Sequence, residues 1–138
     1  MALILGIGLA ANGLIMLVVP ADWYAMVPGV VETGPFNAHF VRDIGVAYLV
    51  AGATLTWFAI NEAARPAAFA GAAFLALHAL VHLWDAAAGP EHAHQLLVDL
   101  PPVFLPPALA IWIAWPRRHP NEEKSHDRMV SAAADRRL

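Results

Sequence analysis

The chain of 138 residues is strongly apolar: 59% of its residues are hydrophobic, 14% are charged, and its mean hydropathy is +0.56. Soluble domains are typically about 45–50% apolar and about 25% charged. The composition therefore excludes a disordered protein, a nucleic-acid-binding protein and an ordinary soluble enzyme. The absence of cysteine excludes disulfides, thiolate zinc sites, iron–sulfur clusters and cysteine nucleophiles. The formal charge of −3 indicates no particular partner, and the length predicts one membrane domain.

Four apolar stretches are each close to the ~20 residues that a helix needs to cross ~30 Å of hydrocarbon. They are too long for the strands of a membrane barrel, so they predict helices. We expect these helices at about 2–19, 39–60, 66–88 and 96–115. The predicted fold is all-α: an integral membrane four-helix bundle with up-down-up-down topology, contained in residues 1–118.

Lys and Arg are unevenly distributed between the segments that flank these helices. Seven of the eight lie in 61–66 or after residue 116, whereas the loops 21–38 and 89–95 contain none. The positive-inside rule therefore predicts that both termini are cytoplasmic and that these two loops face outward. We expect the chain in the cytoplasmic (inner) membrane, with the loops in the periplasm if the source is a Gram-negative bacterium. The polar segment 119–138 predicts a disordered cytoplasmic tail.

The first span resembles a signal peptide in its apolar character. It lacks a basic n-region and a small-x-small cleavage site, so we expect it to be retained as a helix. Aromatic residues are typical of both membrane interfaces. The outer interface is predicted to hold Trp23, Tyr24 and Trp84, and the inner one Trp57, Trp112 and Trp115.

Ionisable residues gather near the predicted outer ends of the helices. His78, His82 and Asp85 are spaced i, i+4 and i+7, which places them on one stripe of the third helix. His39 and Asp43 are spaced i, i+4 on the second helix. A short loop joins these two helices, so they are expected to be antiparallel neighbours whose stripes face each other across a groove.

An ionisable side chain deep in the bilayer costs at least ~2.5–3.5 kcal/mol on insertion scales and is by default a candidate for function. Arg42 and Asp43 are adjacent and diverge on a helix, so they are poorly placed to pair with each other. We expect Arg42 to pair instead with Asp85 or Asp99 of a neighbouring helix.

The strongest single pattern is the HxxxH pair of His78 and His82. Two imidazoles one helical turn apart can bind one metal ion, and nearby carboxylates can complete or orient the site. Imidazole and carboxylate donors predict copper, zinc or iron, and small residues on the helices leave room for haem b as a less favoured cofactor. The predicted metal-site residues are His39, Asp43, His78, His82, Asp85, His92 and His94.

Two other functions are consistent with the same residues. The chain can be a non-catalytic membrane subunit whose His/Asp network sets helix packing or partner docking. It can also be a small proton-coupled transport element in which His39, Asp43, His82 and Asp85 titrate. His92 and His94 are alternatively an exposed pair in contact with solvent.

The sequence leaves open whether the chain is an enzyme and whether a bound metal serves redox chemistry, hydrolysis or metal handling. The predicted partners are the lipid bilayer and either further copies of the chain, as a homo-oligomer, or a larger membrane complex. Four spans enclose little lateral area, which favours such assembly. No nucleic acid is expected.

Two further patterns concern the backbone. The fourth helix contains the proline pairs 101–102 and 106–107, and the second pair predicts a kink because it removes donors and clashes with carbonyls one turn earlier. The segment 27–37 predicts two turns, with Asn37 as the N-cap of the second helix.

Overall fold

The structure, a computed structural model, describes residues 1–88 and 95–116, except for the side chain of Gln95. This part of the chain is helical throughout its regular elements. The helices are α1 (Ala2–Val18), α2 (Pro20–Met26), α3 (Ala38–Ile60), α4 (Arg65–Ala88), α5 (Gln95–Asp99) and α6 (Leu105–Ala114). Two 3-10 turns cover Val30–Thr33 and Glu62–Ala64, and a π turn, Leu100–Phe104, joins α5 to α6.

Three helical segments are long and apolar enough to cross a membrane: Ala38–Ile60, Glu62–Ala88 and Leu96–Ala114. A fourth span is formed by α1 and α2 if this pair, which is bent by 117°, counts as one. Length and composition therefore indicate an all-helical membrane protein with three or four spanning segments. The predictions for the loop 89–95 and for the tail 119–138 fall on residues outside the described ranges, apart from the backbone of Gln95.

The bend between α1 and α2 was not predicted, and Pro20 explains it. Proline disfavours the helical conformation in the residue before it, and Val19 accordingly has φ −128° and ψ 60°. Proline is well suited to the first position of a helix, where its missing N–H costs nothing, so α2 begins at Pro20. The segment predicted as loop and turns therefore begins with a helix. Its last residue, Asn37, caps α3 as predicted by accepting hydrogen bonds from the N–H groups of residues 39 and 40.

The backbones of α1 and α3 lie in close contact at four glycines. Gly6 lies opposite Gly52, and Gly13 lies opposite Gly45, so the two helices are antiparallel. A Cβ on Gly13 would lie 2.5 Å from the Gly45 carbonyl oxygen, which leaves no room for a side chain. Both pairs repeat after seven residues, or about two helical turns, and so occupy one face of each helix. Such small residues let membrane helices approach closely.

The other long helices follow in chain order, α4 against α3 and α6 against α4. Gly71 of α4 meets α3, where an added Cβ would lie 3.1 Å from the Ala51 Cα. The four long helices contribute to one apolar core, in which small side chains predominate. Its buried members are Leu9, Ala51, Leu55, Phe58, Ala64, Ala68, Ala72, Leu75, Ala110 and Ala114.

Arginine side chains satisfy the carbonyl ends of two helices. Arg65 at the start of α4 donates through Nη1 to the carbonyls of Ala114 (3.0 Å) and Trp115 (3.2 Å) at the end of α6. Arg42 on α3 donates through Nε to the Leu17 carbonyl (3.3 Å) at the end of α1. The last carbonyls of a helix lack intrahelical partners and carry partial negative charge, so cations stabilise them. Each arginine thereby ties the end of one helix to a neighbouring helix.

A π turn, Leu100–Phe104, interrupts the last helix just before the proline pair 106–107, where a kink was predicted. The Leu105 N–H donates to the Leu100 carbonyl, five residues earlier, instead of to the carbonyl four residues earlier. Pro101, Pro102 and Pro106 cannot donate, and their rings crowd the preceding turn, so the helix widens where the normal bonds cannot form.

We predict that Gly52→Ala destabilises the protein because the new Cβ would lie 2.5 Å from the Gly6 carbonyl oxygen. Overpacking of this kind typically costs about 1–3 kcal/mol. Thermal unfolding in detergent, followed by circular dichroism, should show a Tm several degrees lower. Gly8→Ala is the matched control, because a Cβ at Gly8 meets no atom within 4 Å. Equal Tm values for the two variants would contradict the close contact between α1 and α3.

Candidate functional site

A buried carboxylate and an imidazole join α4 to α5. Asp99, the last residue of α5, is 6% exposed and is the one charged side chain that is buried within residues 1–88 and 95–116. Its Oδ2 atom lies 2.7 Å from Nδ1 of His82 on α4. Both residues lie in segments apolar enough to span a membrane. A charged group in such surroundings needs a close partner, and His82 supplies it.

A second histidine, His78, contacts this pair, and two aromatic rings pack against His78. The ring of His78, one turn before His82, meets the His82 ring edge-to-face with centroids 4.9 Å apart. Tyr48 of α3 lies edge-on to His78 at 5.8 Å, and Phe74 stacks against His78 at 6.1 Å. We call these five residues, Tyr48, Phe74, His78, His82 and Asp99, the His–Asp cluster.

The hydrogen bond to Asp99 fixes the chemistry that is available to His82. With an ionised carboxylate, Nδ1 carries the proton and donates it, so the lone pair of Nε2 is directed away from Asp99. Metal-binding histidines commonly have this arrangement, in which a carboxylate orients the ring and raises its basicity.

The spacing of the two histidine rings is compatible with one shared ion. Zinc–nitrogen bonds of about 2.0–2.1 Å at a tetrahedral angle place the centroids of two imidazoles about 5 Å apart. The rings of His78 and His82 are separated by 4.9 Å. Within the described residues, however, no group of three or more His, Asp or Glu side chains is arranged to hold a metal ion. Any further ligand would come from outside this group.

The remaining predicted site residues lie apart from this cluster or outside the described ranges. His39 and Asp43 pair with each other along α3, with Nε2 and Oδ2 3.4 Å apart, and their side chains are 87% and 61% exposed. Asp85 is exposed on α4. The expected facing of the His39–Asp43 stripe towards His82 is therefore not what the structure shows: the carboxylate that meets His82 is Asp99. His92 and His94 lie outside the described residues.

Asp99, the carboxylate that meets His82, was not among the predicted metal-site residues. Asp85 or Asp99 was expected to pair with Arg42, but the Nε atom of Arg42 donates to the Leu17 carbonyl. A signal for the correct partner was available. Only six residues separate α4 from α5, so the two helices are expected to be antiparallel neighbours. His82 and Asp99 lie at similar distances along the chain from this connection and are therefore expected at the same level of the two helices.

No family model, curated protein or solved structure matches this chain. The geometry and chemistry of the His–Asp cluster are therefore the features of the chain that bear on its function.

We predict that Asp99→Asn destabilises the protein by about 1–3 kcal/mol, because it replaces a charge-assisted hydrogen bond in a buried position by a neutral one. Thermal unfolding of the metal-free protein in detergent measures this loss. Asp85→Asn removes the same charge from an exposed position on the neighbouring helix and should leave the Tm nearly unchanged. A Tm for Asp99→Asn equal to that of the control would contradict the His82–Asp99 bond.

Proposed function

We propose that this chain is an integral membrane protein whose His–Asp cluster binds a transition-metal ion near one end of a four-helix transmembrane bundle. The observation that carries the proposal is the 2.7 Å contact between His82 Nδ1 and buried Asp99 Oδ2, beside the ring of His78. In this proposal His78 and His82 are the protein ligands. Asp99 orients His82 and balances part of the positive charge of the ion.

The donor atoms define the class of metal. Imidazole nitrogen suits copper, zinc and iron, whereas sites for magnesium and calcium are built from oxygen. Two histidine ligands leave coordination positions open for water or for groups outside the His–Asp cluster. A bound ion would supply a Lewis acid or a redox centre. The residues of this chain supply its orientation, a neighbouring carboxylate and an apolar aromatic surround.

The proposed orientation places the His–Asp cluster near the outer face of the inner membrane, with both termini in the cytoplasm. It is supported by the concentration of Lys and Arg in 61–66 and after residue 116. Arg42 is the one exception, and its donation to the Leu17 carbonyl supports a capping role. The contacts of Gly6 with Gly52 and of Gly13 with Gly45 together support antiparallel packing of α1 and α3, as an up-down-up-down bundle requires.

One observation favours a second function, that of a non-catalytic subunit in which the polar residues set helix packing. The His82–Asp99 hydrogen bond directly joins α4 to the helix that precedes the π turn. The two proposals differ in what the purified protein contains and in how it responds to metal.

We predict that wild-type protein purified in detergent, without a His-tag, contains copper, zinc or iron in near-stoichiometric amount, or takes up one ion per chain on titration. His78→Ala and His82→Ala should abolish binding, and Asp99→Asn should weaken it by about 10–100-fold, because a carboxylate that orients a ligating histidine contributes on that scale. Elemental analysis and isothermal titration measure these outcomes, and an absorption spectrum of the same sample distinguishes haem from a bare ion.

His39→Ala is the matched control for metal binding, since this exposed histidine pairs with Asp43 apart from the cluster. It should retain full binding. A folded wild-type protein that neither contains nor takes up metal, combined with a lowered Tm for His82→Ala, would contradict the metal proposal and support the packing function.

We predict opposite accessibility for the two ends of the bundle. The chain contains no cysteine, so single-cysteine variants report one position each. In intact cells a membrane-impermeant maleimide should label His39→Cys, whereas Glu62→Cys should react only after the membrane is permeabilised. Both side chains are more than four-fifths exposed, at 87% and 83%. The reverse pattern would overturn the proposed orientation.

A further inference from the structure

Helix α1 is at the lower limit of the length that crosses the hydrocarbon layer. Its 17 residues correspond to about 25 Å at 1.5 Å per residue, against ~30 Å of hydrocarbon. The chain then bends by 117° into α2, so α2 does not extend the span along the same axis. If α1 spans the membrane, its end at Val18 lies at or below the edge of the hydrocarbon layer, and α2 starts there.

A hydrogen bond holds α2 back towards α1. Trp23 Nε1 donates to Asn12 Oδ1 at 3.0 Å, although a continuous helix would separate two residues eleven positions apart by about 16 Å. Asn12 lies six residues, or about 9 Å, before the end of α1. It is also the one polar side chain on α1. Trp23 therefore turns towards the membrane interior and supplies the partner that this amide needs in an apolar segment.

The segment after α2 is folded onto it as a compact unit. The Tyr24 hydroxyl donates to the carbonyl of Gly34, and the Tyr24 and Phe36 rings lie 5.3 Å apart. Gly34 has φ +142°, and Gly29 has φ 82°; both values favour glycine and permit the turns on either side of Val30–Thr33. We call residues 20–37 the re-entrant segment.

The surface of the re-entrant segment exposes three large apolar side chains, with the carboxylates of Asp22 and Glu32 exposed beside them. Met26 is 79% exposed, Val31 53% and Phe36 43%. Such exposure is unfavourable in water, at roughly 25 cal/mol per Å² of apolar surface, and becomes favourable against acyl chains. The same kind of surface continues onto α3 at Phe40, which begins a membrane span. The continuity with lipid-facing surface and the bend towards the membrane favour lipid as the contacting phase.

We propose that the re-entrant segment lies in one lipid leaflet, at the boundary between acyl chains and headgroups, and does not form an aqueous loop. Its partner is the acyl layer of the surrounding bilayer, which Met26 and Val31 contact. This inference depends on the membrane-spanning part of the proposed function and is independent of the metal.

Fluorescence quenching in phosphatidylcholine liposomes tests the proposal in the full-length chain. Met26→Cys and Val31→Cys are each labelled with an environment-sensitive fluorophore. Leu14→Cys on α1 is the lipid control, because Leu14 is 53% exposed on an apolar helix. Glu62→Cys is the aqueous control, because Glu62 is 83% exposed in the short connection between α3 and α4.

We expect the labels at positions 26 and 31 to be quenched by lipids that carry a doxyl group near the headgroup, more strongly than by lipids with the group near the chain end. Their quenching by aqueous iodide should be several-fold weaker than at position 62. Iodide quenching equal to that at position 62 would overturn the proposal and leave the membrane spans intact. Loss of doxyl quenching at position 14 as well would overturn both.

Discussion

In the apolar segments of this chain, each polar side chain must find its partner within the protein. A hydrocarbon environment supplies no compensating hydrogen bonds, so an unpaired group costs several kcal/mol. Asn12 on α1 accepts from Trp23, and Asp99 on α5 contacts His82. The helix ends obey the same constraint, as shown by the donation of Arg42 to the Leu17 carbonyl. These bonds hold α2 against α1, α5 against α4 and the end of α1 against α3.

The scaffold that positions the His–Asp cluster is built from small residues. Close contact at Gly13 and Gly45 fixes α3 on α1, and Gly71 lets α4 approach α3. The rotation of α4 that follows directs His78 towards Tyr48 of α3 and brings His82 to Asp99. The His–Asp cluster thus depends on the close backbone packing that glycine and alanine allow. The His82–Asp99 bond then joins the packed helices.

Apolar length and helical spacing were sufficient to predict the long helices to within about two residues, and also the N-cap at Asn37 and the shared face of His78 and His82. These features depend on residues that are close together in the sequence, so they can be predicted from it directly. The partner of His82 depends on how α4 is rotated against two neighbours, and spacing within one helix carries no information on that. His39 and Asp43 pair with each other along α3, so neither side chain requires a partner on α4.

The bend at Pro20 was missed for a different reason: proline, an acidic residue and aromatic residues together resemble a surface loop. What marks the segment as re-entrant is the tertiary bond between Trp23 and Asn12, which composition does not reveal. Similarly, the proline pair 106–107 predicted a kink in the last helix, and the irregularity lies just before that pair, at Leu100–Phe104. Its form, a π turn closed by the Leu105 N–H, depends on which carbonyl remains within reach.

The sequence separation of these contacts also sets an order in which the chain can assemble as it leaves the ribosome. At about 5–20 residues per second, Trp23 follows Asn12 within roughly two seconds, so the amide on α1 is covered almost at once. Gly52 follows Gly6 by 46 positions, a delay of about 2–9 s. During this interval the glycine face of α1 has only lipid or the insertion machinery as a neighbour. Because the Asn12–Trp23 bond can form early, the Asn12 amide has a hydrogen-bond partner before α3 is available to pack against α1.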